Sequence, residues 1–391
     1  MTEPRAGPAG LRVAMTLEQC WHRVPGGTAV ATLGAARALA ARDDLEVVGV
    51  AAWHRNEAIE AWMPPVPVGH LPLPRLALYE SWHRLRRPRV QRATGPIDVI
   101  HATAMPIPPR SAPLVVTVHD LAFLRSADHF TRRGNSFFRR GLELALRDAD
   151  LVLCPSQATI TDCIEAGFDA ARLRMVPHGV TVQSPSPDDV ARVRKHHGLD
   201  RPYVLWTGTV EPRKNLPGLL RAWTMVDAEA DLVLVGPEGW STDLEALLRG
   251  AGSAGPQKKR GAGSAGPQKK RVKVLGFLPQ RDLAPIYAGA EVFCYPSFTE
   301  GFGLPVLEAM AQSTPVVTSR GTSTEEIGRD AVILVDPADP AAIAEGIGRI
   351  LDDAELGSQL ASKGRARAAT YTWEAAAELT LAAYREVAWP R

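Results

Sequence analysis

The chain is poor in cysteine, in lysine and in long apolar runs, and each shortage excludes a class of protein. Its four cysteines, Cys20, Cys154, Cys163 and Cys294, are widely separated and form neither a C-x-x-C pair nor a zinc-ligand spacing. Reduced thiols in a cytosolic protein are therefore expected. The segment MTEPRAGPAGLRVAM lacks a signal-peptide core, and no run of about 18 apolar residues occurs. We expect a cytoplasmic protein that is soluble, or at most peripheral to the inner face of the membrane.

A large excess of charge of either sign is also absent. The formal net charge of +2 over 391 residues argues against a protein dominated by binding to nucleic-acid phosphates. Five of the few lysines fall between 258 and 273, where GAGSAGPQKKR is written twice in succession (250–271). The repeat has the glycine-, serine- and alanine-rich composition of a flexible linker. We interpret it as a duplicated surface loop between the helix TDLEALLRG and the strand VKVLG, at the amino ends of the strands.

The apolar pattern predicts an α/β protein. Hydrophobic residues make up 45% of the chain, which is enough for a sizeable core. Short runs rich in valine, leucine and isoleucine alternate with longer segments of helical spacing, as in parallel sheets covered by helices. We expect two doubly wound Rossmann-like domains facing a central cleft, with ligands bound beyond the carboxyl ends of the strands. The predicted strands lie at 11–15, 45–50, 98–102, 114–118, 151–155, 174–180, 203–208, 231–236, 272–276, 291–296, 315–319 and 331–336.

The stretch SFTEGFGLPVLEAM (297–310), which follows the strand EVFCYP, carries the most informative site pattern. Gly301 and Gly303 permit close approach of the backbone to a ligand, and the proline that follows marks the first turn of a helix. The amino terminus of that helix offers N–H groups and a positive dipole end to a phosphate. Glu300 and Glu308 flank this turn and can accept hydrogen bonds from hydroxyl groups. Ordinary solvated glutamates are the disfavoured alternative.

The E-x7-E spacing from Glu300 to Glu308 resembles the signature of the family 4 retaining glycosyltransferases of GT-B fold. The resemblance spans nearly the whole chain, and it implies an acceptor-side domain over 1–181, a nucleotide-sugar-binding domain over 182–372 and a helix within 373–391 that crosses back to the first domain. It extends, in the expected order, to PGG (25–27), HDLAF (119–123), VPHGV (176–180), GTVEPRKNLPGLLRAW (208–223) and VKVLGFLP (272–279).

The resemblance also implies an activity. It is the transfer of a hexose from a nucleoside-diphosphate sugar to a hydroxyl group of a saccharide or lipid-linked acceptor, with retention of the anomeric configuration, in glycan or glycolipid synthesis. The P-R-K-N motif is similar to that of mannosyl-transferring relatives and favours GDP-mannose, while dTDP- and UDP-sugars stay open. No D-x-D-like motif follows a strand, so we expect neither a metal requirement nor a cofactor. The oligomeric state is not indicated.

The resemblance assigns roles residue by residue. Arg213 and Lys214 hold the diphosphate, which two cations can neutralise as it leaves, although taken alone they could be a solvated pair. Family members often carry an arginine directly after Gly208, where this chain has Thr209, and Arg213 can supply that charge instead. The expected catalytic residues are His119, Glu300, Arg213 and Lys214. The expected donor-binding residues are Gly26, Gly27, Gly208, Arg213, Lys214, Gly276, Phe277, Leu278, Glu300, Gly301, Phe302, Gly303, Leu304 and Glu308.

Two of these assignments keep a structural alternative. His119 directly follows the strand LVVTV and can donate to a donor-sugar hydroxyl or polarise the reacting centre. Packing at a strand end is the alternative, and His101 fits it better. Gly26 and Gly27 precede a helix whose amino terminus would point into the cleft, although a simple tight turn is the commoner reason for such a pair.

Three further interpretations remain open at this stage. The segment ESWHRLRRPRVQR (80–92) could attach the first domain to anionic lipid, although a solvated basic helix is favoured. A sugar-nucleotide epimerase of similar fold would isomerise the donor without needing an acceptor. A nucleic-acid-binding protein acting through the basic repeat ranks last, since the rest of the chain has no broad basic face with aromatic platforms.

Overall fold

The computed structural model describes residues 10–22, 26–125, 131–237, 239, 244–250 and 271–389. Most of the repeat, 251–270, lies outside the described residues, so its predicted position stays a prediction. The chain divides into two compact units: Met1–Gly179 with Tyr371–Arg391, and Val180–Thr370.

The described residues of the first unit form a seven-stranded parallel sheet in the order β3-β2-β1-β4-β5-β6-β7. Its edge strand β3 was not predicted, because three residues in a proline-rich segment give no apolar run. At the other edge only the first part of the predicted strand 174–180 is extended in the sheet. The strands are Leu11–Thr16 (β1), Leu45–Ala51 (β2), Val68–His70 (β3), Val99–Ala102 (β4), Leu114–Thr117 (β5), Leu151–Cys154 (β6) and Leu173–Met175 (β7).

Helices cover both faces of this sheet, as a buried parallel sheet requires. One core lies on the α2 and α5 side and includes Leu78, Trp82 and Leu142. The opposite core includes Leu33 and Leu39 of α1. The helices are Gly26–Ala40 (α1), Arg75–Leu85 (α2), Gln91–Thr94 (α3), Ala122–Arg125 (α4), Arg132–Asp148 (α5) and Gln157–Glu165 (α6).

The described residues of the second unit form a six-stranded parallel sheet in the order β10-β9-β8-β11-β12-β13. Every strand predicted between 203 and 336 is present. The winding reverses between β8 and β11, which is the point where α/β sheets bind ligands. The strands are Tyr203–Thr207 (β8), Asp231–Val235 (β9), Arg271–Gly276 (β10), Val292–Tyr295 (β11), Val316–Ser319 (β12) and Ile333–Val335 (β13). The helices are Pro187–His197 (α7), Leu216–Met225 (α8), Leu244–Gly250 (α9), Gln280–Ala288 (α10), Leu304–Ala311 (α11), Ser323–Gly328 (α12), Pro340–Asp352 (α13) and Ala354–Ala368 (α14).

The last helix, Trp373–Ala388 (α15), belongs to the first unit. It packs against α1, and Leu381 and Tyr384 lie in the same core. The Tyr384 hydroxyl lies 2.6 Å from Nδ1 of His101, whose Nε2 lies 2.7 Å from the Thr117 hydroxyl. His101 is therefore a buried structural histidine, as its sequence position favoured.

The basic segment 80–92 does not form one helix. Helix α2 ends at Leu85, and Arg86 adopts a left-handed conformation with φ of 53°. Trp82 is 2% exposed, and its indole N–H donates to the Pro88 carbonyl at 3.0 Å. Trp82 therefore faces the core and not a lipid surface. None of the helices in the described part of the chain is long and apolar enough to span a bilayer.

Candidate active site

The candidate site lies at the carboxyl ends of β8 and β11, which are paired in the second sheet. Gly208 follows β8 with φ of 146°, a backbone conformation that favours glycine. A Cβ atom added there would lie 2.9 Å from Nζ of Lys214. The absence of a side chain at Gly208 thus lets the lysine ammonium group lie against the backbone.

Lys214 is a buried lysine held by a chain of polar contacts. It is 8% exposed, and its Nζ donates to the Tyr295 hydroxyl at 2.8 Å. The same hydroxyl donates to Oε1 of Glu300 at 2.9 Å. Glu211 Oε1 lies 3.8 Å from Nζ. Tyr295 therefore couples the predicted cation to the predicted carboxylate.

Arg213 joins two carboxylates. Its guanidinium group lies 2.8 Å from Oε1 of Glu211 and 2.9 Å from Oε2 of Glu300. Burial raises the pKa of Glu300, but the charges of Arg213 and Lys214 outweigh it and hold that pKa below its ordinary value. Two cations and two carboxylates thus form a charge-balanced cluster, as buried charges require.

The loop that enters α11 is fixed by hydroxyl groups. Ser297 donates to Oε1 of Glu300 at 3.1 Å, and Ser323 Oγ lies 2.7 Å from the Glu300 carbonyl and 2.9 Å from the Phe302 carbonyl. Gly303 is the N-cap of α11 with φ of 107°, and a Cβ atom there would lie 2.7 Å from the Thr324 methyl group. Only glycine therefore fits at the N-cap of α11.

Glu308, in α11, is bound to the tip of β8 by a tyrosine. The Tyr287 hydroxyl donates to its Oε2 at 3.0 Å and lies 2.7 Å from the Thr207 hydroxyl. The side chain of Glu308 is half-buried. Desolvation of its carboxyl group raises the pKa to about 7, and the Tyr287 hydrogen bond and the charge of Lys214 offset this effect in part. This carboxyl group therefore titrates near neutral pH.

The predicted base-binding segment lies beside the same strand ends. The Gly276 carbonyl accepts a 2.8 Å hydrogen bond from the Gly236 amide, and Gly208 N–H donates to Val235 at 2.9 Å. Phe277 is 59% exposed, whereas Leu278 is buried. The segment after β10 thus reaches the edge where Gly208 lies.

The remaining predicted residues lie in the first unit. Gly26 and Gly27 begin α1 and are exposed. His119 Nε2 lies 2.9 Å from the Thr103 carbonyl, and its Nδ1 lies 3.3 Å from Nε2 of His178. Burial lowers the pKa of His119 and also that of His178. His119 is therefore a neutral imidazole that donates from Nε2 to the carbonyl, so donating to a ligand would require it to exchange a partner.

The structure brings together the predicted residues of the second unit, and it adds four that the sequence did not indicate. Two are buried tyrosines, which look like ordinary core residues when only the sequence is known. Glu211 lies two residues before Arg213, and only its position in the motif GTVEPRKN could have indicated that it belongs to the site. The four residues are Glu211, Tyr287, Tyr295 and Ser323.

Two doubly wound α/β units, the second with paired cations and glutamates at its switch point, define a glycosyltransferase of GT-B fold. The crystal structure of Anabaena HepE in complex with UDP and glucose matches with a TM-score of 0.73 at 22% identity, over 95% of this chain and 98% of that chain. This likeness shows the fold.

The family follows from the sequence comparisons. The profile "Glycosyl transferases group 1" matches residues 189–367, and "Glycosyltransferase Family 4" matches residues 25–184. O-antigen chain mannosyltransferase B of Escherichia coli is 31% identical over 73% of this chain and 74% of the relative. MMP alpha-(1->4)-mannosyltransferase of Mycolicibacterium hassiacum is 33% identical over 75% of this chain and 71% of the relative. The chain belongs to glycosyltransferase family 4 and uses sugar-nucleotide donors.

Proposed function

We propose that the chain is a retaining hexosyltransferase that moves mannose from GDP-mannose to a hydroxyl group of a saccharide or lipid-linked acceptor. The observation that carries this proposal is the buried cluster of Arg213, Lys214 and Glu300 at the switch point of the second sheet. Two relatives of more than 30% identity bear mannosyltransferase names, which favours mannose.

The cationic pair receives the diphosphate. Lys214 and Arg213 are already oriented by Tyr295 and Glu211, so little reorganisation accompanies charge development on the leaving group. The amino terminus of α11 adds N–H groups and a positive dipole end beside them. These groups supply the electrostatic stabilisation, and we propose that transfer proceeds without a divalent metal.

The two glutamates bind the rest of the donor. Glu308, with an ionised carboxylate, accepts from the ribose hydroxyls, and the Phe277 ring with Leu278 borders the base. Glu300 and the amides of residues 302–304 hold the donor sugar. The hydrogen bonds from Tyr295 and Tyr287 orient the two carboxylates before a ligand arrives.

The reaction exchanges one bond at the anomeric carbon for another on the same face. The bond from this carbon to the β-phosphate oxygen breaks as the bond to the acceptor oxygen forms. The departing phosphate takes the proton of the acceptor hydroxyl, so no protein nucleophile is needed. His119, a neutral imidazole in the first unit, acts in this proposal by hydrogen bonding to the donor sugar rather than as an acid.

A donor panel tests the proposal. Thermal shifts are measured with GDP, UDP and dTDP, with and without EDTA, because a ligand that binds only the folded state stabilises it. GDP should give the largest shift, and EDTA should leave it unchanged. GDP-mannose is then incubated with and without a mixture of saccharide and lipid-linked acceptors, and proton NMR follows the anomeric signals. A new α-linked product that requires acceptor is expected, whereas an isomerised sugar nucleotide formed without acceptor would reject glycosyl transfer.

A further inference from the structure

Glu211 is a carboxylate of the buried cluster to which the proposed function assigns no ligand. Its Oε1 atom lies 2.8 Å from the guanidinium group of Arg213 and 3.8 Å from Nζ of Lys214. The side chain of Glu211 is 11% exposed and that of Arg213 is 18% exposed, so dissolved ions screen this pair poorly. A negative charge therefore lies against the two cations that are proposed to receive the diphosphate.

The backbone fixes Glu211 in this position. It is the N-cap of the 3₁₀ turn Pro212–Lys214, and its carbonyl accepts a 3.1 Å hydrogen bond from the Lys214 amide. The turn ends at Asn215, which has a left-handed conformation with φ of 54° and donates from Nδ2 to the Pro337 carbonyl at 2.6 Å. Because Glu211 and Arg213 lie on one fixed turn, their ion pair forms at a low cost in side-chain entropy.

The ion pair occupies hydrogen-bond donors that the diphosphate needs. One terminal nitrogen of Arg213 contacts Glu211, and the other lies 2.9 Å from Oε2 of Glu300 and 3.3 Å from the Thr299 carbonyl. Arginine holds a phosphate best through two parallel N–H groups. A diphosphate that binds both terminal nitrogens of Arg213 must therefore displace a carboxylate oxygen.

Glu211 is held less firmly than Glu300. The Glu300 carboxylate also accepts hydrogen bonds from the Tyr295 hydroxyl at 2.9 Å and from the Ser297 hydroxyl at 3.1 Å. In the part of the chain that the structure describes, the Glu211 carboxylate has no hydrogen-bond or ion-pair partner besides the two cations. Glu300 therefore keeps its position without Arg213, whereas Glu211 is the carboxylate that an incoming phosphate displaces.

Such a displaceable carboxylate matters most after transfer. Groups that stabilise the charge developing on a leaving diphosphate also bind the diphosphate once it is free. In many enzymes the release of product, and not the chemical step, limits turnover. A site with two preoriented cations therefore needs a way to lose its product.

We propose that Glu211 is a positioning residue that competes with the diphosphate for Arg213 and thereby speeds release of the nucleoside diphosphate after transfer. Before the donor binds, Glu211 holds the guanidinium group in place. The diphosphate then takes its contact with Arg213, and the displaced carboxylate repels the bound phosphate. When the product leaves, Glu211 pairs with Arg213 again. The inference rests on the proposed function, because the diphosphate is that of the proposed donor.

The test changes the charge and the reach of this carboxylate. Glu211→Gln removes the charge and keeps the size of the side chain, and Glu211→Asp keeps the charge but shortens the side chain. Glu345→Gln, at an exposed position of the second unit, is the matched control. Calorimetry on the full chain measures the affinity for GDP, UDP and dTDP. Stopped-flow fluorescence then measures dissociation of the mant derivative of the nucleotide that binds most tightly.

Glu211→Gln should bind this nucleotide about tenfold more tightly than the wild type, chiefly because the nucleotide dissociates more slowly. The control should match the wild type. Glu211→Asp should lie between the wild type and Glu211→Gln, and it carries the test if Glu211→Gln does not fold. Without nucleotide, Glu211→Gln should unfold at a lower temperature, because a buried cation has lost a partner, and nucleotide should raise its midpoint more than that of the wild type.

A double-mutant cycle with Arg213→Gln tests whether the effect passes through the guanidinium group. In the Arg213→Gln background, Glu211→Gln should change nucleotide affinity by less than about threefold, because only the more distant Lys214 remains. An equal gain in both backgrounds would show general repulsion of the phosphate and reject competition for Arg213.

Two failures can be told apart. If the wild type binds a nucleotide but Glu211→Gln binds it equally or more weakly, Glu211 is only a structural partner of Arg213, and the inference is wrong while the donor site stands. If the wild type binds none of the three nucleotides, the proposed donor site is rejected, and the inference is rejected with it.

Discussion

The Tyr287 hydroxyl donates a 3.0 Å hydrogen bond to Glu308, a carboxyl group whose pKa desolvation raises to about 7. This pair couples the stability of the fold to pH near neutrality. Burial disfavours the ionised form of Glu308, and the hydrogen bond from Tyr287 partly offsets this effect. Stability and ligand binding should therefore both depend on the protonation state of Glu308.

Glu308→Gln should remove a pH dependence of stability. The ordinary pKa of 4.5 applies to the unfolded chain, and the folded value is about 7, so between these values the folded state binds more protons. Wild-type stability should fall as pH rises through this window, by roughly 1–2 kcal/mol relative to the Glu308→Gln variant. Urea denaturation at pH 5 and pH 8 measures the difference, with the exposed Glu345→Gln as control. A wild type and variant with parallel pH profiles would contradict the assignment.

Tyr287→Phe should move the pH dependence of nucleotide binding upward. Loss of the hydroxyl removes a hydrogen bond that favours the carboxylate, so the pKa of Glu308 rises further. Nucleoside diphosphate affinity should then reach its plateau at a higher pH than in the wild type. Calorimetric titration from pH 6 to pH 9 measures this shift. Tyr203→Phe, which breaks a buried 2.6 Å hydrogen bond to the Ile286 carbonyl, is the control and should leave the midpoint unmoved.

Lys214→Met should reduce sugar transfer by about a hundredfold or more, because it removes a preoriented charge from the diphosphate. The methionine keeps most of the packing against Gly208, but loss of one charge from the buried cluster should also lower the thermal midpoint, so rates are compared at a temperature where both proteins are folded. Lys363→Met, which breaks an exposed ion pair of 3.1 Å with Asp330, should transfer sugar at the wild-type rate. A fully active Lys214→Met enzyme would contradict the assignment of Lys214 to the donor site.

Gly208→Ala should weaken diphosphate binding by displacing a side chain. Its Cβ would lie 2.9 Å from Nζ and 3.0 Å from Cδ of Lys214. Gly198→Ala is the control, since Gly198 has φ of 62° and nothing within 4 Å of an added Cβ. Both variants introduce backbone strain, but only the first moves the ammonium group. Comparable losses of GDP affinity in both would show that strain, and not the lysine contact, is responsible.

Deletion of residues 250–260 should leave transfer nearly unchanged. The repeat is predicted to be a surface loop on the side of the second sheet opposite the strand ends that carry Lys214 and Glu308. Halving such a loop changes its closure free energy by only about 0.6 kcal/mol. Steady-state rates of the deletion variant check this, and a large loss of activity would place the repeat near the site.

The sequence predicts the fold well where the apolar runs are long. The strands of the second sheet alternate clearly with helices, and each is found within a few residues of its predicted position. The edge strand Val68–His70 was not predicted, because it is short and lies among prolines. The apolar pattern of the sequence therefore predicts buried strands better than it predicts short strands at the edge of a sheet.

The same contrast applies to the site. Glu300 and Glu308 stand in one motif with glycines and a helix start, so their proximity follows from local sequence. Lys214 stands in a second motif, which the pairing of β8 with β11 brings beside the first. Tyr287 lies 21 residues from Glu308, and Tyr295 lies 81 residues from Lys214, so nothing distinguishes these tyrosines from core aromatics before the fold is known. Tertiary hydrogen bonds of this kind leave no periodic signal.

The membership of α15 in the first unit has a consequence for synthesis. The ribosome delivers the strand that carries His101 early, but its hydrogen-bond partner Tyr384 emerges only after the whole second unit. Because domains generally fold as they emerge, the first sheet must wait while the second unit folds, with the part of one apolar face that α15 covers still exposed. The order of translation thus makes the later domain the first that can be completed.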